Sequence, residues 1–340
     1  MSDGDPKVQA EPLERLEFDA ATLMGDHSPI WRDANKRVVF DIACHPDDAP
    51  VGRLTYTRWA AASLPEHIDV ASAAGLAVGR DGYFDYAPTL DAIDGVEWHV
   101  NFADPHLFFA YGSSLFAQDE MQVAEHPALG SLREALEAAG HRAVTVDRGV
   151  PSPVLVTGVE RRVRIATDPD AKQGRPNGLY GNAFARASAD AVARATMRIE
   201  PPTITNLIAM AAPTGGRGRY RVEEIQSVLV TALTGFRAAV LESERLRGAA
   251  GPVAVHTGYW GCGAFGGNRV LMAMLQVIAA QMAGLDRLAF HVGHPGGMAP
   301  LDEALRIVRD DFGSAGRLAT ADLIDRIAAT GFEWGVGDGN

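Results

Sequence analysis

A glycine-rich segment near the C-terminal end of the chain has the composition of a ligand-binding loop. Residues Thr257–Asn268 read TGYWGCGAFGGN and lie between a β-rich apolar stretch and a long helical pattern. Glycine tolerates positive φ and lets a ligand approach the backbone, so the amides of such a loop, beside a helix N-terminus, can bind a diphosphate. The segment has neither a Walker Gly-Lys-Ser/Thr nor GxGxxG. Glycine content alone is equally typical of a tight turn needed for packing.

A second feature with possible chemistry is the adjacent acidic pair Asp119 and Glu120, which precedes an apolar helical pattern. A glutamate whose pKa is raised by burial can donate a proton to a leaving group and then accept one from water. Taken alone, two acids at this place indicate only favourable charge at the N-terminus of a helix.

The order Thr-Gly-x-Trp-Gly-Cys-Gly-Ala-Phe-Gly-Gly at 257–267 resembles the phosphate-loop signature of the poly(ADP-ribose) glycohydrolase family. The resemblance implies a macrodomain-type fold whose loop holds the diphosphate of ADP-ribose, with Phe265 bordering the adenosine or the adjoining ribose. Tyr259 stands where the family usually has Asn. The loop residues implied to bind substrate are Gly258, Tyr259, Gly261, Cys262, Gly263, Ala264, Phe265 and Gly266.

The acidic pair lies at the spacing of the family's second motif, a strand end followed by Gln-Glu-Glu. The resemblance implies that Glu120 is the catalytic acid/base and that Asp119 holds ribose hydroxyls. Breaking a glycosidic bond requires a proton for the leaving group while the sugar passes through an oxocarbenium-like state. The further substrate contacts implied by the resemblance are Gln118, Asn101, Phe102, Asp104 and an aromatic clasp formed by Tyr180 and Phe184.

The chain departs from the family at the glycine triplet that precedes the acidic motif. Phe108-Phe109-Ala110 stands in its place. Because the family's glycines let ribose and acceptor approach the backbone, two phenylalanines predict either a rearranged loop or a narrow, apolar leaving-group side.

A competing motif is His45-Pro46-Asp47-Asp48, which resembles the His-Pro-Asp-Asp element of zinc-dependent N-acetylglucosaminyl deacetylases. Zinc sites use His and carboxylate ligands with an open position for water, and His291 and His294 could supply further imidazoles. Ala49 stands where that family has Glu, and a turn after a strand is the favoured interpretation of the motif. His291 and His294 can equally be polar contacts of a macrodomain ligand. We therefore predict neither a metal nor a cofactor.

The overall composition limits the partners. Acidic residues outnumber Lys and Arg by 43 to 31, giving a formal net charge of −12, whereas proteins that bind long polyanions usually present a basic face. We expect a compact nucleotide ligand rather than extended nucleic acid. We expect no membrane association, because no apolar run approaches the roughly 20 residues of a membrane span, and the N-terminus lacks a secretory signal pattern. Two distant cysteines, Cys44 and Cys262, exclude a disulfide framework and predict a cytoplasmic location.

Strand and helix patterns alternate along the chain, which predicts an α/β fold with a mixed sheet sandwiched between helices. We predict an N-terminal extension and accessory segment over 1–95 and a macrodomain-like catalytic domain over 96–340. The predicted helices are 13–23, 58–64, 128–139, 222–246, 268–283, 300–310 and 320–329. The predicted strands are 36–42, 96–103, 153–158, 204–212, 252–257 and 287–293.

The sequence thus predicts an ADP-ribosyl glycosidase with Glu120 as its acid/base. The acidic surface and the lost glycine triplet favour a mono-ADP-ribosyl or small-molecule conjugate over a long polymer. Phe108 and Phe109 also allow a second hypothesis, an ADP-ribose-binding module without catalysis. A zinc deacetylase is the third. The prediction names neither the acceptor, the linkage atom nor an oligomeric state.

Overall fold

The computed structural model describes residues 11–45, 48–91 and 95–337. The strands within these ranges are β1 Glu14–Asp19, β2 Arg53–Arg58, β3 His67–Asp69, β4 Ala77–Arg80, β5 Val96–Ala103, β6 Val146–Asp147, β7 Val150–Pro151, β8 Val154–Ile165, β9 Thr196–Ala211, β10 Val253–Gly258, β11 Arg287–His291 and β12 Arg317–Ala319. The α-helices are α1 Ala20–Asp26, α2 Ala34–Ala43, α3 Gln118–Glu125, α4 Ala128–Ala138, α5 Asn182–Arg186, α6 Ala189–Ala195, α7 Val222–Arg247, α8 Arg269–Ala283, α9 Met298–Arg306 and α10 Thr320–Ala329.

Eight of these strands form one mixed sheet in the order β1-β2-β8-β9-β5-β10-β11-β4. The five strands from β9 to β4 run parallel to one another, and the pairs β1–β2, β2–β8 and β8–β9 are antiparallel. The carboxyl ends of β5, β10 and β11 therefore meet at one edge of the sheet. In open α/β sheets, that edge is where ligands bind.

Both faces of the sheet are covered, as alternation along β9 illustrates. Ile208 and Met210 pack into the core formed with α7 and α8, whereas Leu207 and Ala209 pack into a second core that contains residues of α1 and α4. Successive side chains of a strand point to opposite faces, so a strand with two covered faces is apolar at every position. This arrangement confirms the predicted α/β class with a mixed sheet between helices.

The N-terminal region differs from the prediction in its elements. Residues 13–23 form β1 and the start of α1 rather than one helix, and residues 59–64 follow β2 without forming a helix. The stretch 36–42, predicted as a strand, lies in α2. The Asp33 side chain caps α2 by accepting a hydrogen bond from the Lys36 amide, and Lys36, Val39 and Ala43 are buried at helical spacing. These interactions outweigh the β propensity of Val38–Phe40.

The N-terminal strands lie in the same sheet as the rest of the chain. β1 and β2 form one edge of the sheet, and β4 forms the other. The strands before and after the predicted domain boundary between residues 95 and 96 therefore belong to one sheet.

One helix in the described part of the chain, α7, is long and apolar enough to cross a membrane by length and composition alone. Within its most apolar 18-residue stretch, 67% is buried inside the fold. It packs against α8 and β9, as a core helix does.

Candidate active site

A cleft of about 320 Å³ lies at the carboxyl edge of the parallel strands. It brings together residues that are far apart in sequence: the end of β5, the start of α3, the loop after β10 and the end of β11. The sequence-predicted residues that line it are Phe102, Asp104, Gln118, Asp119, Glu120, Tyr180, Gly258, Tyr259, Gly261, Cys262, Gly263, Ala264 and Phe265.

The carboxylate pair, Asp119 and Glu120, lies in the first turn of α3, where the helix dipole favours negative charge. Glu120 Oε2 accepts a hydrogen bond of 3.0 Å from the Ala117 amide, which fixes the side chain at the helix start. Asp119 and Glu120 are only 6% and 3% exposed. Although both residues line the cleft, their surroundings are largely closed to solvent, which is the environment that shifts carboxyl pKa values.

Burial raises the pKa of both carboxyls. For Asp119, burial and the charge of Glu120 raise the pKa to about 8, against a hydrogen bond from Asn101. For Glu120, burial raises the pKa, whereas the nearby Lys36 ammonium opposes the rise. Two neighbouring buried carboxyls disfavour double ionisation. Together they retain a proton near neutral pH, as an acid/base site requires.

Asn101 and Gln118, both predicted to contact substrate, make hydrogen bonds at the start of α3. Asn101 is fully buried and donates from Nδ2 to Asp119 Oδ1 (3.1 Å) and to Gln122 Oε1 (2.9 Å). Gln118 accepts from the Phe102 amide at 2.7 Å and donates to a β5 carbonyl at 3.1 Å. Asn101 does not line the cleft, and Gln118 ties α3 to β5 with both ends of its amide. Their main effect is to hold α3 against the strand end.

The glycine loop, residues 257–267, connects β10 to the N-terminus of α8. Gly261 adopts φ +76°, and a Cβ at this position would lie 2.5 Å from the Cβ of Ala212, so only glycine fits. The loop closes on itself through a 2.9 Å hydrogen bond from the Gly267 amide to the Gly261 carbonyl. Asn268 then caps α8 by accepting from the amides of Val270 and Leu271. A Gly-rich turn ahead of a capped helix is a suitable anion site.

Three residues of the loop, Tyr259, Cys262 and Gly266, lie in different surroundings. The Tyr259 hydroxyl donates to the Gly297 carbonyl, and the Arg269 guanidinium lies 5.4 Å from the Tyr259 ring centroid. Burial raises the pKa of the Cys262 thiol to about 12, which disfavours the reactive thiolate form. Gly266, predicted to bind substrate, does not line the cleft, since its carbonyl accepts from the Gly335 amide at 2.8 Å.

Of the two residues of the predicted aromatic clasp, Tyr180 lines the cleft and Phe184 does not. Tyr180 lines the cleft, but its aromatic neighbour is Tyr83, with ring centroids 6.0 Å apart and planes 12° apart. Phe184 is fully buried and stacks on Phe116 at 3.8 Å inside the core. The i, i+4 spacing of Tyr180 and Phe184 places the second ring on the buried side of α5. Tyr83 belongs to a segment with no recognisable motif, so the sequence did not reveal it.

Phe108 and Phe109, which stand in place of the glycine triplet, lie in different surroundings. Phe108 adopts φ +52° and is fully buried in the core with Leu107. Phe109 is 62% exposed and lines the cleft. One phenylalanine therefore leaves the cleft entirely, and the other forms part of its wall, with the Arg133 guanidinium 5.7 Å from its ring centroid.

A hydrogen-bonded histidine chain leads from Glu97 to His291, which lines the cleft. His256 Nε2 is 2.7 Å from Glu97 Oε2, its Nδ1 is 3.0 Å from His291 Nε2, and His291 Nδ1 is 3.1 Å from the Tyr83 carbonyl. Burial and the His256 charge lower the pKa of His291 to about 4, so His291 is neutral and donates to Tyr83. His99 stacks on His256 with centroids 4.2 Å apart. The chain thus fixes the Tyr83 segment over the cleft, a role that the sequence did not indicate.

The competing zinc motif is only partly within the described residues, because Pro46 and Asp47 lie outside them. The Asp48 carboxylate pairs with the guanidinium groups of Arg162 and Arg198. Within the described ranges, no group of three or more His, Cys, Asp or Glu side chains is placed to hold a metal ion.

Comparison with known proteins shows what this chain is similar to. Residues 178–294 match the family model described as poly(ADP-ribose) glycohydrolase (PARG), macro domain fold. The poly(ADP-ribose) glycohydrolase of Thermomonospora curvata bound to the inhibitor ADP-HPD is 17% identical, with 80% of this chain and 98% of that chain covered and a TM-score of 0.44. The Deinococcus radiodurans glycohydrolase in complex with ADP-ribose is also 17% identical, with 63% and 75% covered and a TM-score of 0.34. Over residues 178–294, which include the glycine loop, the chain is similar to the poly(ADP-ribose) glycohydrolase family model.

Proposed function

We propose that this protein is a glycosidase that hydrolyses the bond at C1 of the distal ribose in an ADP-ribose conjugate. One observation carries the proposal: the carboxylate pair and the glycine loop, about 140 residues apart in sequence, line the same cleft. A diphosphate on the loop and an acid at the sugar are the two elements that such a hydrolysis needs. The match to the glycohydrolase family model over 178–294 supports the same assignment.

The binding half of the reaction belongs to the glycine loop. Its backbone amides and the N-terminus of α8 attract the diphosphate, and Arg269, which lines the cleft, adds a positive charge. Binding energy from this part of the substrate, remote from the reacting bond, holds the ribose in place for reaction at C1.

The chemical half belongs to the carboxylate pair. Glu120 donates its proton to the atom that leaves C1 and afterwards accepts a proton from the attacking water. Asp119, oriented by Asn101, hydrogen-bonds ribose hydroxyls. Burial raises the pKa of Glu120, which favours the protonated form that donates to the leaving atom.

The substrate that we propose is a mono-ADP-ribosyl or small-molecule conjugate rather than a long polymer. Phe109 forms part of the cleft wall where the family has a glycine triplet, and a ring there restricts the space for a second ADP-ribose unit. The formal net charge of −12 also opposes binding of a polyanion.

The test is Glu120→Gln, assayed with an ADP-ribosyl conjugate and, separately, by calorimetry with ADP-ribose. We expect hydrolysis to fall at least a hundredfold, since general acid/base catalysis contributes about 10²–10⁴, while the affinity for ADP-ribose changes less than threefold. Glu303→Gln, an exposed acid paired with Arg306, is the matched control and should behave like the parent. Undiminished turnover by Glu120→Gln contradicts the assigned role.

A second candidate function is an ADP-ribose-binding module without catalysis, which the Phe109 ring in the cleft favours. The same two assays on the parent protein separate the candidates. Tight binding without turnover of any conjugate supports the module, and turnover supports the glycosidase.

For the cellular location, we propose the cytoplasm. The support is that Cys44 and Cys262 are both free thiols, as is usual in a reducing compartment.

A further inference from the structure

Lys36 is an unusual residue for its position, because it is one of the largest fully buried side chains of the described chain. Lysine is almost never fully buried unless it is paired. Its ammonium donates to the Tyr111 carbonyl at 2.6 Å and lies 3.5 Å from the Ala110 carbonyl. These carbonyls belong to the loop that replaces the family's glycine triplet, so Lys36 fixes the loop beside the cleft.

The charges of the carboxylate pair have the largest electrostatic effect on this ammonium. α2, which carries Lys36, packs against α3. The acidic groups whose charges act on Lys36 are Glu120 first, then Asp119 and Asp33. Burial lowers the pKa of Lys36 to about 8, and these acids oppose the change. The ammonium is thus still charged at neutral pH.

A loop anchor alone does not require a charge. The Tyr111 carbonyl is neutral, and a neutral amide donor could hold it without the desolvation of an ammonium. Both a buried cation and two buried acids are unfavourable in isolation, but each compensates the other. The charge on Lys36 therefore has its physical counterpart in the carboxylate pair rather than in the loop.

We propose that Lys36 is a positioning residue of this site: its ammonium, fixed by the Tyr111 carbonyl, is the counter-charge of the carboxylate pair and sets the proton occupancy of Glu120. This inference rests on the proposed glycosidase function for its catalytic consequence, but its electrostatic content stands without it. Burial and Asp104 on the cleft wall favour the protonated form of Glu120, whereas Lys36 and the backbone amides of Ala117 and Glu120 favour its ionised form. Among these influences, Lys36 is the one positively charged side chain.

The consequence for the reaction follows from the strength of the acid. An acid whose pKa is far above the working pH holds its proton too tightly to donate it efficiently, and the best catalytic pKa lies near that pH. Without Lys36, only the backbone amides of Ala117 and Glu120 oppose the effect of burial on Glu120. Proton donation at neutral pH then becomes slower, whereas the protonated form persists to higher pH.

The experiment compares Lys36→Gln, which keeps a hydrogen-bond donor but removes the charge, with Lys36→Arg, which keeps the charge. Side-chain carboxyl titrations of Glu120 and Asp119 by ¹³C NMR, together with pH–rate profiles, are measured for both variants and the parent. For Lys36→Gln we expect the Glu120 titration to move up by about one unit or more and the alkaline limb of the rate profile to move with it. Lys36→Arg should titrate within about half a unit of the parent.

Two outcomes overturn the proposal: Lys36→Gln titrates like the parent, or Lys36→Arg shifts as much as Lys36→Gln. If Lys36→Gln does not fold, the reciprocal variant Glu120→Gln gives the answer, because loss of that carboxylate should lower the pKa of the Lys36 ammonium measured by NMR. An unchanged Lys36 titration then overturns the proposal. Because the titrations need no turnover, an inactive parent refutes the glycosidase function while leaving the role of Lys36 to be decided by NMR.

Discussion

Replacing Asp119 with asparagine should make the protein more stable, and increasingly so as the pH rises. Asparagine retains an oxygen that can accept the hydrogen bond from Asn101, which is 3.1 Å long in the parent. It removes a carboxyl that is 6% exposed and lies beside the carboxyl of Glu120. The substitution therefore changes the charge of the site with little change in its shape.

The expected magnitude follows from the raised pKa of Asp119, which burial and the charge of Glu120 shift from 3.8 to about 8. A group whose pKa is higher in the folded state stabilises the fold below its unfolded pKa, and this contribution is lost as the pH rises through the folded pKa. At about 1.4 kcal/mol per pKa unit, the contribution of Asp119 to the free energy of unfolding falls by on the order of 4 kcal/mol between pH 4 and pH 7. Since Glu120 shares the proton, we expect a gain of about 2–4 kcal/mol for Asp119→Asn at pH 7.

The assay is urea unfolding of parent and variant at pH 4, 5.5, 7 and 8.5. The two free energies of unfolding should nearly coincide at pH 4, which serves as the internal control, and should separate steadily up to about pH 8. A difference that is the same at every pH, or a variant that is less stable than the parent at pH 7, refutes the claim that Asp119 is a buried carboxyl that keeps its proton near neutral pH.

Two further substitutions test the walls of the cleft. Gly261→Ala should lower the affinity for ADP-ribose, measured by calorimetry, at least tenfold, because the new Cβ would lie 2.5 Å from the Cβ of Ala212. The control is Gly284→Ala, at φ +78°, where a new Cβ would have no atom within 4 Å. It should lower the free energy of unfolding by only the left-handed strain of about 1 kcal/mol and leave the affinity unchanged. Equal affinities for the two variants contradict the loop assignment. Phe109→Ala should raise the ratio of kcat/KM for poly(ADP-ribose) over a mono-ADP-ribosyl conjugate several-fold, because the ring narrows the cleft, whereas the exposed Val150→Ala should not; an unchanged ratio argues against Phe109 as the specificity element.

The parallel strands and the long helices were predictable because their signals are local. β5, β10 and β11 and helices α7 and α8 all lie within a few residues of their predicted bounds, since buried strands and amphipathic helices carry a periodicity that tertiary contacts reinforce. Helix α2 was missed because Val38–Phe40 reads as β-rich, whereas the decisive interaction is the Asp33 cap.

The candidate site was predictable only where a motif marks it. The glycine loop and Glu120 stand in recognisable patterns, and both line the cleft. Tyr83 reaches the cleft through the segment after β4. Lys36 reaches the loop beside the cleft through the packing of α2, and no local spacing encodes either contact. Phe184 shows the reverse error, because a helical spacing places a ring on a face without specifying whether that face is the cleft or the core.

The central claim is that the glycine loop and Glu120 act on the same ADP-ribose molecule. Its most direct test is the crystal structure of Glu120→Gln bound to ADP-ribose. The account predicts the diphosphate on the amides of residues 261–265 and C1 of the distal ribose within hydrogen-bonding reach of the side chains at 119 and 120. A diphosphate bound away from the loop, or a distal ribose that points away from α3, contradicts it.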